Sequence, residues 1–190
     1  MSTEPIGLAL ANTLGAGSDG SEADLLRTAG DLGAWLGRHR DETGPVGPEV
    51  ALRVGEFRDL RGAIRDLLDA VVRREPLPPG AVARLNEASG RIPRVVRLEV
   101  SGPLAPVAVD EQVSGSDAAR ALAAVARSAI EVLGGPDRER VRVCGARGCG
   151  RFFLASRPDR TWCSAACGTR ERVARHYART RNAAVAELRP

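Results

Sequence analysis

At 190 residues, with 43% apolar and only 3% aromatic side chains, the chain can bury one ordinary core of Leu, Val, Ala and Ile and carry a small module besides. Its 28 basic residues are all Arg and are unevenly spread: residues 1–143 hold 18 Arg against 21 acids, whereas 144–182 hold nine against two. No apolar run reaches the roughly 18 residues of a membrane span, and the stretch after Glu4 lacks a basic leader and is broken by Asn12, so a soluble cytoplasmic protein without a membrane partner is expected.

In chain order, residues 6–14 are an apolar run ending in Asn-Thr, which predicts a short buried helix with Asn12 and Thr13 bonded to nearby backbone. A polar pair facing a ligand is the sharper alternative. Residues 15–20 read as a loop. Ser21 offers an N-cap, with Asp24 near the third position, for a helix through Leu25, Ala29, Leu32 and Leu36 with Trp35 beside them. Residues 48–74 predict one long helix whose inner stripe is Leu60, Ile64, Leu67, Leu68, Val71 and Val72. Its charged side, with Arg58, Arg61 and Arg65 among Asp59, Asp66 and Asp69, reads as a solvated, ion-paired surface. Pro79 opens a shorter helix that ends before Gly90.

The period then changes from 3.6 to 2. Residues 94–100 and 104–109 predict two strands joined at Ser101-Gly102-Pro103, and because a lone hairpin is marginal in water they are expected to pack on the helices. Ser116 caps the next helix, with Leu122, Ala126, Ile130 and Leu133 inward, and Gly134-Gly135-Pro136 ends it. Val141-Arg142-Val143 is a short strand leading straight into Cys144. The fold class predicted is therefore α+β: a mainly helical N-terminal domain over residues 1–140 with a small β-hairpin, then a small metal-binding module over 141–190, the two joined with little linker.

All four cysteines, Cys144, Cys149, Cys163 and Cys167, lie in this last part, spaced C-x4-C, thirteen residues, C-x3-C. Two close pairs brought together by a short connection are what a tetrahedral ion requires, and zinc is the expected metal. Two disulfides would suit an oxidising compartment, and an iron–sulfur cluster also takes four thiolates, although its usual spacings are tighter at one end. Four thiolates leave no position for water, so one structural zinc ion rather than a catalytic one is predicted. Gly145, Gly148 and Gly150 let the first pair fold as a knuckle, and Phe152 and Phe153 supply an apolar cover. Ser164 is placed to cap a final helix over residues 165–182, giving a treble-clef-like module. Val173 and Tyr177 are expected to face the metal-side core, while Arg172, Arg175 and Arg179 share another face flanked by Arg170 and Arg181. His176 reads as a surface or phosphate-contacting residue.

Arg151-Phe152-Phe153-Leu154, Ser156-Arg157, Trp162-Cys163-Ser164 and Cys167-Gly168-Thr169-Arg170, together with the C-x4-C pair, resemble the CGNR-type zinc finger. That module sits at the C-terminus of bacterial proteins that begin with an ABATE domain and are described as stress-induced transcription regulators. The Ile6-to-Leu14 run resembles the opening of the ABATE domain. Thr169 stands where the family name spells Asn; both ligands are kept, and only the contact the Asn makes is altered. By analogy the resemblance implies a sensing or self-associating N-terminal domain, hence a small-molecule effector and a homodimer.

The leading functional expectation is a DNA-binding regulator whose zinc module sets Arg170, Arg172, Arg175, Arg179 and Arg181, with Arg160 from the preceding loop, against phosphates. A zinc-stabilised protein-interaction module is the second reading, and RNA binding the third, since the module has few exposed aromatics for base stacking. An enzyme is not expected. The only strong nucleophiles are the four thiols, and His39 and His176 lie on charged helix faces without an evident partner.

Overall fold

In the computed structural model, residues 4–16, 22–100, 106–112 and 115–187 are described. The first helix, α1 (Ile6–Ala11), is buried along its whole length and threads between two longer amphipathic helices, α4 (Val54–Arg73) and α6 (Asp117–Gly134). Gly7 makes this possible: a Cβ there would meet the Ala129 backbone of α6 at 2.7 Å. Alanines along α6 allow the same close approach from the other side, and Phe57, Leu60, Ile64, Leu67 and Leu68 of α4 fill the rest of the core with Leu122, Val125 and Val132. α2 (Ala29–Arg38) adds Leu32, Trp35 and Leu36. A single turn, α3 (Arg40–Thr43), follows it, and α5 (Pro79–Gly90) packs on both α4 and α6.

Several boundaries differ from the sequence expectation. Residues Glu22–Asp24 form strand β2, paired antiparallel with β1 (Leu14–Ala16), instead of the first turn of a helix. Ser21 lies outside the described residues. The cap of α2 is Thr28, whose hydroxyl accepts from Asp31 N while the Asp31 carboxylate accepts from Thr28 N, so two free helix-end donors are satisfied reciprocally. Asp24 is committed elsewhere, to Leu26 N and Arg61. The long helix begins at Val54. Before it, Pro48–Arg53 winds as a 3-10 helix that tucks Val50 into the core against α2.

The charged side of α4 is the larger correction, because three of its arginines work inside the molecule. Arg61 is only 5% exposed and grips Asp24 through both terminal nitrogens, at 2.6 and 2.9 Å, while reaching Thr13 Oγ1 at 3.2 Å. Arg58 donates to the Leu26 and Arg27 carbonyls, and Arg65 to those of Ala11 and Leu14. Together they fasten α4 to the turns around β1 and β2.

The hairpin consists of β3 (Arg94–Val100) and β4 (Pro106–Gln112), with Leu98 opposite Ala108. Its second strand runs on to Gln112, past the expected end at Val109, and the connection, with residues 104 and 105, lies outside the described residues. Contrary to expectation, its described side chains Leu98 and Val100 are not buried against the helices but are 74% and 69% exposed. Its root is held by buried Ile92 and by Arg127, which donates to the Ser89 and Ile92 carbonyls.

After α6, a 3-10 turn (Pro136–Arg140) leads into β5 (Val141–Val143), which pairs antiparallel with β6 (Phe152–Leu154). β6 was not expected as a strand. Because successive strand residues point to opposite faces, Phe152 enters the main core and Phe153 a second, smaller cluster around the cysteines. Asn12 fixes this ribbon: its Nδ2 donates to Phe152 O and its Oδ1 accepts from Phe152 N, both at 2.9 Å. Thr13 does bond locally, donating to Leu10 O at 2.6 Å. The Arg65 guanidinium lies over the Phe152 ring, 5.2 Å from its centre.

Two stability predictions follow from these contacts. Arg61 holds the Asp24 carboxyl down at about 2, against an ordinary 3.8. The pair therefore stabilises the fold above pH 3.8, and that contribution, on the order of 2 kcal/mol, should be lost as pH falls toward 2. Urea midpoints measured across this range should drop for the wild type, and Asp24→Asn should lower the neutral-pH midpoint while flattening the acid decline. Replacing Asn12 by Leu strands both peptide groups of Phe152, at a cost of about 2–4 kcal/mol. Hydrogen exchange should show the Phe152 amide losing protection first.

Candidate metal centre

The β5–β6 ladder runs on into the cysteines: Cys144 N donates to Arg151 O at 2.8 Å, which sets the first thiol at the end of the ribbon. The chain then turns back on itself. Cys149 N donates to Ala146 O, and Gly148 and Gly150 adopt φ of 68° and 59°, the left-handed region open to glycine, so Cys149 comes round beside Cys144. From the far side Cys163 N donates to Cys144 Sγ at 3.3 Å. Ser164 caps the last helix, α7 (Ala165–Glu187), its hydroxyl accepting from Cys167 N at 3.2 Å as the sequence implied. Cys167 thus sits in the first turn, at the positive end of the helix dipole.

The four Sγ atoms all lie within 4.8 Å of one another. Cys149, Cys163 and Cys167 form a triangle with edges of 3.7, 3.6 and 3.7 Å. A tetrahedron built on zinc–sulfur bonds of about 2.3 Å has edges of about 3.8 Å, so the donor set fits one zinc ion. Burial pushes the Cys149 and Cys163 thiols up, whereas the Ser164 hydroxyl holds Cys167 down at about 7. Thiols at this spacing do not ionise together unaided, because each thiolate opposes the next; a divalent cation removes that conflict.

Trp162 closes the site. A Cβ on Gly168 would come to 3.0 Å from its ring, and one on Gly145 to 3.4 Å, so the two glycines make the bed on which the indole lies. Arg160 folds inward: it donates to the Trp162 and Cys163 carbonyls at 3.0 and 2.6 Å and stacks over Phe153, with its centre 5.3 Å from the ring. Glu171 is a functional residue that sequence reasoning missed. It is only 8% exposed, and its Oε1 accepts from Arg147 N at 2.7 Å, clamping the knuckle to α7. The available signal was its setting, an acid between Arg170 and Arg172 in an Arg-rich helix.

Along α7, Arg170, Arg172, Arg175 and Arg179 are exposed. Arg170 reaches Cys167 Sγ at 3.6 Å, and Arg172 donates to Thr169 Oγ1 at 2.9 Å, at the position where the sequence departs from the motif. Arg175 and Arg179 each donate to the carbonyl one turn back. Arg181 lies on the helix, its side chain outside the described ones. Val173 and Tyr177 do not face the cysteine cluster as expected; they are 48% and 72% exposed. The buried positions of α7 are Cys167, Gly168 and Glu171, and the side of the helix that carries Val173 and Tyr177 turns away from them. His176 is exposed beside Tyr177.

Among the described residues no helix is long and apolar enough to cross a membrane. The ABATE family, described as "putative stress-induced transcription regulator", matches residues 4–136, and the CGNR zinc finger matches residues 140–180. Neither description is that of an enzyme. A search of curated proteins found no match. The first match spans well over half of the 190 residues, and the second coincides with the four-thiol cluster. The chain belongs to the ABATE family and carries a CGNR zinc finger that can hold one zinc ion.

Proposed function

We propose that residues 141–190 form a DNA-binding zinc module carried by a sensing domain of residues 1–140, in a cytoplasmic transcription regulator without catalytic activity. Cys144, Cys149, Cys163 and Cys167 are the zinc ligands. An ion held by four thiolates has no open position, so what it supplies is folding free energy for a segment with little core of its own. The exposed arginines of α7 then face duplex phosphates, with Arg172, Arg175 and Arg179 as the main contacts and Arg170 and Arg181 flanking them. Arg160 acts from behind, as a strut of the loop that carries Trp162 and Cys163.

The observation that supports this reading best is the division of labour among arginines. Arg58, Arg61 and Arg65 of α4 are spent on carbonyls and Asp24, whereas Arg170, Arg172, Arg175 and Arg179 of α7 remain exposed on a helix anchored by Cys167 and Glu171. An effector would act closest to the module in the groove of about 710 Å³ between the end of α4 and β5. That groove is lined by Val71, Leu77 and Val141 and by charges of both signs, Arg74, Arg138 and Arg142 with Glu75 and Glu139.

Gel-shift titration on a random duplex should give a log–log salt dependence that becomes about three units shallower in the Arg172/Arg175/Arg179 triple-Ala variant. Equal affinity and slope for the two proteins would overturn the DNA reading. Failure of generic duplex to displace a bound acidic protein would favour the docking module, and preference for single-stranded RNA the third reading. Chelation should release one zinc per chain and unfold α7, seen as a loss of helical circular dichroism, while the main core keeps its cooperative melt.

A further inference from the structure

The β3–β4 ribbon is a second incomplete surface, far in sequence from the cysteines. Directly opposite residues of an antiparallel pair share a face, so Leu98 and Ala108 lie on one side, with Val100 two positions on. Arg97 and Glu99 lie on the other, opposite Val109 and Val107. Leu98 and Val100 are the more exposed part of this apolar side, at 74% and 69%. A two-stranded ribbon with an uncovered apolar face is marginal in water, and each outer edge offers unpaired backbone N–H and C=O groups.

The two edges are not equivalent. β4 begins with Pro106, which has no N–H, and carries Asp110 and Glu111 before its last residue with no base on the strand, features that blunt an edge. β3 carries charges of both signs on either side of a central leucine: Arg97, Leu98, Glu99. We propose that β3 pairs antiparallel with β3 of a second copy of this chain about a twofold axis at Leu98, joining two ribbons into one four-stranded sheet.

The register follows from charge and pleat. With Leu98 opposite its own copy, Arg97 falls opposite the second copy's Glu99, and position 96 opposite Val100, so valine meets valine. A shift of the axis to position 97 or 99 sets Arg against Arg or Glu against Glu. A slip by a single residue puts Leu98 opposite Arg97 and turns the two apolar faces to opposite sides of the sheet. Only the Leu98-centred arrangement satisfies both conditions, and it covers the most exposed apolar side chains of the hairpin with each other.

The test uses the full zinc-loaded chain and sedimentation velocity over a range of concentrations, with no DNA present, so its outcome is separate from that of the DNA reading. The wild type should dimerise. Arg97→Glu and Glu99→Arg each turn two attractive cross-strand pairs into repulsive ones and should weaken self-association about ten-fold or more. Both positions are exposed, and unchanged circular dichroism and zinc content would confirm folding. Mixing the two variants in equal amounts restores opposite charges across the axis, and a heterodimer should form with near wild-type affinity. A monomeric wild type, a dimer that survives both substitutions, or a mixture that stays monomeric would each overturn the proposal.

Discussion

The side-chain amide of Asn12 stands in for a strand. By accepting from the N–H and donating to the carbonyl of Phe152, it pairs one peptide of β6 as a neighbouring strand would, across a sequence gap of 140 residues. This contact is satisfied on both sides, so breaking either half leaves a polar group behind. It also works together with the pleat. Holding Phe152 toward the main core obliges Phe153 to face the other way, and Phe153 is the floor of the cysteine cluster. A single residue at the C-terminal cap of α1 thereby sets the orientation in which the thiols are presented relative to the helices.

Arginine serves opposite purposes at the two ends of the molecule. In α4 the guanidinium group is used for its five donors, tying the helix to carbonyls of the α1–β1 turn and to Asp24, and Arg61 gives up nearly all contact with water to do so. A buried guanidinium is tolerated because Asp24 engages it bidentately and Thr13 takes a further bond. In α7 the side chains of Arg170, Arg172, Arg175 and Arg179 are exposed, and each bonds to the preceding turn of its own helix. Composition therefore says nothing about which arginines are structural; the depth of the helix that bears them does.

The thiol cluster and the hairpin illustrate two ways a short segment can lack a core. Around the cysteines the shortage is met within the chain: Trp162 lies over Gly145 and Gly168, Arg160 stacks on Phe153, Glu171 closes the knuckle, and the converging sulfurs leave a site for a cation. In the hairpin the root is anchored by Ile92 and Arg127, and the described side chains of Leu98, Val100 and Val107 beyond it are exposed. Polar atoms are satisfied throughout the described interior, where no buried side-chain nitrogen or oxygen lacks a partner.

Local chemistry was legible in the sequence wherever it depends on near neighbours. The spacing of Cys144, Cys149, Cys163 and Cys167, the cap at Ser164, the amphipathic rhythm of α4 and α6, and the change of period at Arg94 each follow from interactions within a few residues, and each was found where it was expected. The Thr28–Asp31 box was equally local and was overlooked in favour of Ser21. What only the tertiary structure decided are the pairings between distant segments, Asn12 with Phe152, Arg61 with Asp24 and Glu171 with the Arg147 amide, and the exposure of Val173 and Tyr177. Periodicity tells which residues of a helix share a side, but whether that side meets a core, a carboxylate or water depends on where the rest of the chain runs, and that is settled by packing.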